Sequence, residues 1–303
     1  MPIPPYQDIF VPLLNKAADG DVHTISELLD PLADHFQLTP EEREELLPSG
    51  KQATFHNRLA WAKTYLAKAL VIESVGRGKF RITERGKALH ARGLKQITSQ
   101  VLREYEEFRE FSGGGDAGEQ GPTDTQVEKG VQTPEEVLAK AYQNMRAQLA
   151  GLLIQNVMSC SPAFFENLVL DLLLAMGYGG SRREAATAVG RSSDGGIDGI
   201  INEDRLGLDA VYIQAKRWQG GVGSPVVRDF VGSLVGHSAN KGVLITTSHF
   251  TSEAKQFAAK VPQKVVLIDG PKLAELMIDF GVGVQVEETY VHKRIDEGYF
   301  DGE

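Results

Sequence analysis

The chain has 303 residues, 42% of them hydrophobic and 24% charged, which is enough for two domains with separate cores. A formal net charge of -9 excludes a protein that coats nucleic acid through bulk positive charge, so any DNA contact has to come from a local basic patch. The single cysteine, Cys160, excludes an internal disulfide and a Cys-rich zinc site, and no apolar run approaches the about 18 residues of a membrane span, which predicts a soluble, cytoplasmic protein with no membrane partner.

Residues 1–50 hold two basic residues against ten acidic ones, whereas residues 51–95 hold eleven basic against two acidic, a local excess of +9. Apolar periodicity predicts helices over about 6–19, 24–36 and 52–69. A short strand at 70–73, a turn at Gly76-Arg77-Gly78-Lys79 and a second strand at 80–83 follow. Three helices and a basic hairpin read as a winged helix, an α+β domain over residues 1–95. On the third helix Phe55, Leu59, Ala62, Leu66 and Leu70 form the core stripe. The opposite face carries Asn57, Ala60, Thr64 and Lys68, with Trp61 expected to pack at its shoulder. In helix-turn-helix folds that face enters the major groove, where Asn pairs with adenine and Thr meets a methyl group. Arg77, Lys79 and Arg81 on the hairpin would hold phosphates.

Residues 96–134 read as a helix and a flexible linker. The helix runs over about 91–111, and the Gly- and Pro-bearing stretch 112–134 has almost no large apolar residues. From 135 to 303 a second domain is expected. Glu135 to Met158 reads as helix and Ser159-Cys160-Ser161-Pro162 as a break, with Ser161 the N-cap of a helix that stops at Gly177. Phe165, Leu168, Val169, Leu172 and Met176 are its core stripe, and Glu166 is the odd residue, a carboxylate beside apolar Leu170 and Leu173. Shielding that charge needs a cation or hydrogen-bond donors. A metal ion and a pairing with Arg182 or Arg183 are both open readings. Farther on, strands at 241–247 and 264–269 alternate with helices at 225–237, 250–260 and 272–280, which predicts an α/β sandwich around a mixed central sheet. Gly220-Gly221-Val222-Gly223 lacks the lysine and spacing of a phosphate loop. Ser248 and His249 stand together without the elbow motif of a serine hydrolase. Arg217 reads equally as a phosphate contact or a surface residue, and Trp218 as a packing residue.

The chemistry concentrates in Asp194-Gly195-Gly196-Ile197-Asp198-Gly199 and, sixteen residues after Asp198, in Gln214-Ala215-Lys216. Strand, polar turn and strand between them predict a hairpin that brings Asp198 to the Gln214/Lys216 pair. Gln214 and Lys216 share one face because side chains alternate along a strand. A carboxylate, an amide oxygen and an ammonium so placed suit metal-assisted phosphodiester cleavage, since Mg2+ prefers oxygen ligands and a lysine offsets charge growing on phosphate. The amide removes one negative charge, which predicts weaker ion binding than in an all-acid site.

This triplet resembles the PD-(D/E)XK nuclease signature in the variant with glutamine for the second acid. Phe164 to Leu168, Met176 to Gly180, Asp194 to Gly199, Gln214 to Trp218 and Gly242 to Thr247 fall in the order found in the Mrr family of type IV restriction endonucleases. Asn57 to Ala62 is similar to the Mrr N-terminal domain. The resemblance implies a restriction-endonuclease-like core over 135–303 and a Mg2+-dependent endonuclease, with Mn2+ able to substitute, that cuts methylated double-stranded DNA. It further implies Asp198 as main metal ligand, Gln214 as carbonyl ligand, Glu166 as an outer or second carboxylate, and Lys216 as the group that positions the nucleophile. Cutting both strands points to a homo-oligomer, a dimer or tetramer. A modification-sensing DNA-binding protein without cleavage and a repair or junction-resolving nuclease are the alternatives.

Overall fold

Capping residues set most of the helix starts. Thr24 and Thr39 each close a capping box, with Glu27 and Glu42 respectively, and Thr83, Ser161, Thr251 and Asp269 accept the backbone N–H three residues on. The computed structural model describes residues 2–112, 132–179, 196–203 and 209–293, with 295 and 299. The Gly-rich stretch read as a linker lies largely outside them, as do Arg182, Arg183, Asp194, Gly195 and residues 204–208 of the polar turn. The chain divides into two compact units, Met1–Asn144 with Lys293–Glu303, and Met145–His292.

The first unit contains α1 (Phe10–Ala17), β1 (His23–Thr24), α2 (Ile25–His35), α3 (Pro40–Glu44), α4 (Thr54–Lys68), β2 (Ile72–Gly76), β3 (Lys79–Ile82), α5 (Glu84–Ala91), α6 (Ser99–Leu102) and α7 (Glu106–Phe111). Its sheet is small and antiparallel, in the order β1-β3-β2. The expected stripe of α4 is buried from Phe55 to Leu66, but Leu70 is not part of it. That residue is 44% exposed in a left-handed conformation just past the helix end, and Val71 and Ile72 enter the core instead. The single helix expected over 91–111 is two short ones. Their charged residues Arg103, Glu104, Glu106, Arg109 and Glu110 are exposed, while Ile97, Leu102 and Phe108 are fully buried in the first core.

In the second unit α8 (Pro134–Ser159), which begins in the first, leads to α9 (Pro162–Ala175), β4 (Gly199–Asn202), β5 (Ala210–Lys216), α10 (Ser224–Gly236), β6 (Lys241–Thr246), α11 (Ser252–Ala258), β7 (Lys264–Ile268) and α12 (Gly270–Asp279). The sheet is mixed, as expected. Its order is β4-β5-β6-β7, with β4 antiparallel to β5 and the other pairs parallel. Ile213 and Ala215 pack with α9 residues such as Phe165 and Leu172, while Tyr212 packs with the cluster around Phe230 and Leu234 of α10. This alternation separates the Gln214 face of β5 from the Ala215 face. Among the described residues no helix is long and apolar enough to cross a membrane.

Candidate active site

The β4–β5 hairpin builds the site. Gly199 pairs with Ile213, and one residue earlier Asp198 donates its own N–H to the Ile213 carbonyl at 2.8 Å. Its Oδ2 accepts the Ala215 N–H at 2.7 Å, so the carboxylate is tied to the backbone between Gln214 and Lys216. Gln214 is buried, at 6% exposure. Its Nε2 donates to the Gly196 carbonyl, and its Oε1 is buried without a hydrogen-bond partner. Lys216 ends β5 opposite Thr246, whose hydroxyl donates to the Lys216 carbonyl at 2.8 Å and secures the strand end. Glu166, on the first turns of α9, has its pKa raised, first by burial and then by the negative charge of Asp198, while Lys216 pulls it down. Those influences bring Glu166 into electrostatic reach of both residues. The hairpin joins Asp198 to Gln214 and Lys216, and Glu166 lies near enough for the charges of Asp198 and Lys216 to act on it.

The donor set suits a hard cation. A buried amide oxygen without a donor is costly unless something electropositive reaches it. Two carboxylates and that oxygen are the ligands Mg2+ prefers. Among the described residues no group of three or more His, Cys, Asp or Glu side chains is placed to hold a metal ion, so an ion here would depend on the amide.

Residues flanking the centre have structural partners. Arg217 donates through Nη1 to the Met158 carbonyl at 2.6 Å, in the last turn of α8. Trp218, expected to pack, is 42% exposed, although its backbone N–H is held by Thr247. Ser248 donates to the Gln219 carbonyl at 3.2 Å, and His249 lies against Gly221, where a Cβ would stand 2.7 Å from Nε2. They brace a loop. Sequence reasoning missed Thr246 and Gly196. The threonine carries no signal beyond strand preference, but a doubled glycine just before a strand is a cue for close backbone approach.

The other proposed DNA-contacting residues lie in the first unit, and there one expectation fails. Asn57 is 4% exposed, its Oδ1 accepting from Thr133 Oγ1 at 2.6 Å and its Nδ2 donating to Gln52. Next to it Arg58 Nε donates to Glu136 at 2.8 Å and Trp61 Nε1 to Glu135 at 2.6 Å. The acidic first turn of α8 thus covers the N-terminal half of this face, and Asn57 cannot read a base there. Thr64 donates to the Ala60 carbonyl within its own helix, and the Lys68 ammonium stands 5.2 Å from the centre of the Phe111 ring. Arg77, Lys79 and Arg81 are exposed on the hairpin, Arg81 paired with Glu73 at 2.7 Å.

Residues 157–277 match the family model described as a restriction endonuclease, Mrr_cat, and residues 6–92 match the Mrr N-terminal domain. Over 314 aligned residues, 99% of this chain and 100% of the relative, the chain is 35% identical to the type IV methyl-directed restriction enzyme EcoKMrr of Escherichia coli (strain K12). The chain belongs to the Mrr family of restriction endonucleases. As an Mrr-family enzyme it is a DNA phosphodiester hydrolase. Two solved structures align over part of their length. The MspJI restriction endonuclease in complex with a 27-mer oligonucleotide is 22% identical, covering 65% of this chain and 42% of that one, with a TM-score of 0.33. The DNA modification-dependent restriction endonuclease AspBHI is 18% identical, covering 68% and 52%, with a TM-score of 0.34. Those scores are too low to add to the family assignment.

Proposed function

We propose that this Mrr-family enzyme cuts methylated double-stranded DNA in a Mg2+-dependent reaction, with Mn2+ able to substitute, at the Asp198, Gln214, Lys216 and Glu166 centre. The observation that carries the reading is the buried, unpartnered Oε1 of Gln214 beside a carboxylate anchored at Ala215 and the lysine that ends the strand. Asp198, Gln214 and Glu166 would hold the ion, which supplies Lewis-acid stabilisation and a more acidic water. Lys216 acts on the phosphate itself. Its ammonium offsets the negative charge that grows on the phosphoryl oxygens as water attacks phosphorus and the ester oxygen leaves. Glu166 would complete the donor set as its outer or second carboxylate.

In the first unit the strand order and the exposed hairpin support a winged helix in which Arg77, Lys79 and Arg81 hold phosphates, with Lys68 and Thr64 at the uncovered end of α4. Methyl-directed specificity follows the relative that matches over its full length. Cutting two strands asks for two such centres, which a homodimer or tetramer supplies. The deciding experiment incubates the full chain with Mg2+ and matched plasmids, one unmethylated and one carrying adenine and cytosine methylation, beside Lys216→Ala. Cleavage of the methylated plasmid alone, reduced at least about 100-fold in the variant with DNA affinity retained, is expected. Equal cutting of both plasmids would overturn the methylation reading, and an active Lys216→Ala would remove that lysine from the mechanism.

A further inference from the structure

The geometry points to Gly196 as a positioning residue whose carbonyl oxygen dictates an amide at position 214 and decides which atom of Gln214 faces the ion. This deepens the proposed ion site and rests on it.

Gln214 has two polar ends in different surroundings. Nε2 meets the Gly196 carbonyl, and Oε1 is buried with nothing donating to it. A carbonyl oxygen accepts and never donates, so only an N–H or O–H group is tolerated against it. That contact excludes the flipped amide and leaves the oxygen as the end presented to a cation. It also discriminates against the ordinary acid of this nuclease signature. A carboxylate at 214 would set a charged oxygen against the Gly196 oxygen, exchanging an attraction for a repulsion at hydrogen-bond distance. The amide is then more than a charge-reduced substitute for an acid. It is the side chain whose second atom matches the backbone opposite.

Position 196 has to be glycine for the same contact. Its φ is +81°, a left-handed conformation, and a Cβ there would stand 2.7 Å from Gln214 Nε2. The carbonyl is also held in place from its other side. Ile197 is 2% exposed within the α10 cluster, and Asp198 is bonded to β5 through both its N–H and its carboxylate. One short segment therefore supplies a ligand, Asp198, and aims another, Gln214.

The test is Mn2+ binding to the full chain without DNA, read by electron paramagnetic resonance, which counts free ion and needs no turnover. Gln214→Glu is expected to bind Mn2+ no more tightly than wild type despite its added charge. Gly196→Ala is expected to weaken binding about tenfold, yet to cost nothing further in a Gln214→Ala background, because it acts through that side chain. Tighter binding by Gln214→Glu overturns the inference. So does an equal loss from Gly196→Ala in both backgrounds, which would make the glycine a fold residue only. Asp198→Ala separates the two levels of the argument. Unchanged Mn2+ binding in that variant overturns the ion site itself and this proposal with it. Abolished binding alongside a tight-binding Gln214→Glu overturns only the role of Gly196.

Discussion

Replacing Glu136 by alanine should destabilise the first unit by about 2–3 kcal/mol, a loss that follows from what the carboxylate holds. Breaking one partner from a buried ion pair costs about 3–5 kcal/mol because the other charge is left uncompensated. Here the pair is well shielded, with side chains 14% exposed for Arg58 and 6% for Glu136. The cost is reduced because Arg58 Nη1 keeps the Ile3 and Pro4 carbonyls at 2.6 and 3.1 Å. It is increased by the capping box at the start of α8, where Glu136 accepts the buried Thr133 N–H at 2.8 Å. The net expectation is about 2–3 kcal/mol, below the bare buried-pair figure. The two tryptophans, Trp61 and Trp218, fall one in each unit, so a Trp218→Phe background lets Trp61 fluorescence follow urea unfolding of the first unit alone. Trp61 itself donates to Glu135, so its emission should also shift in the native baseline if the helix start lifts away. The double variant Arg58→Met with Glu136→Leu should recover only part of the loss, since it removes both charges together but leaves the Thr133 N–H and the Ile3 and Pro4 carbonyls without these partners. A single-variant loss under about 0.5 kcal/mol, the size of an exposed pair, would show that the contact is a surface pairing and refute the burial argument.

Acid unfolding gives a second check. Arg85 holds Glu107 down from 4.5 to about 2, so this pairing contributes stability that is fully present above about 4.5 and is lost as the pH falls towards 2. Thermal melts of Glu107→Gln across that window should depend less on pH than those of the wild type, and an unchanged slope would dismiss the pairing. On the hairpin, Lys79→Ala and Arg81→Ala should each weaken binding to all DNA sequences alike and lower the salt dependence of log K by about one unit. A change confined to one sequence would assign those residues to base reading instead.

The outline of both units was legible because it depends on local rules. The cap at Ser161, the stripe from Phe55 to Leu66 and the alternation through Ile213 and Ala215 all depend on neighbours a few residues away. The hairpin that joins Asp198 to Gln214 and Lys216 belongs to the same class, since register follows from a short turn. Local rules misplaced Leu70, the 91–111 segment, Trp218 and Asn57, and for Gln214 they pointed to the oxygen without the partner that orients it. Asn57 lies on the solvent side of α4 by helical period, and only Thr133, 76 residues away, turns it inward. Gln214 carries a donor and an acceptor on one carbon, and which of them faces the site is decided by Gly196, 18 residues away. A residue type specifies what a side chain is able to offer, while its backbone and distant partners select the atom that is offered. For charged groups the two rarely differ, since a carboxylate only accepts and an ammonium only donates whatever the partner. For amides they separate, and at both places the separating partner is distant in sequence: Thr133 before α8 for Asn57, and the Gly196 carbonyl two residues before the anchored aspartate for Gln214.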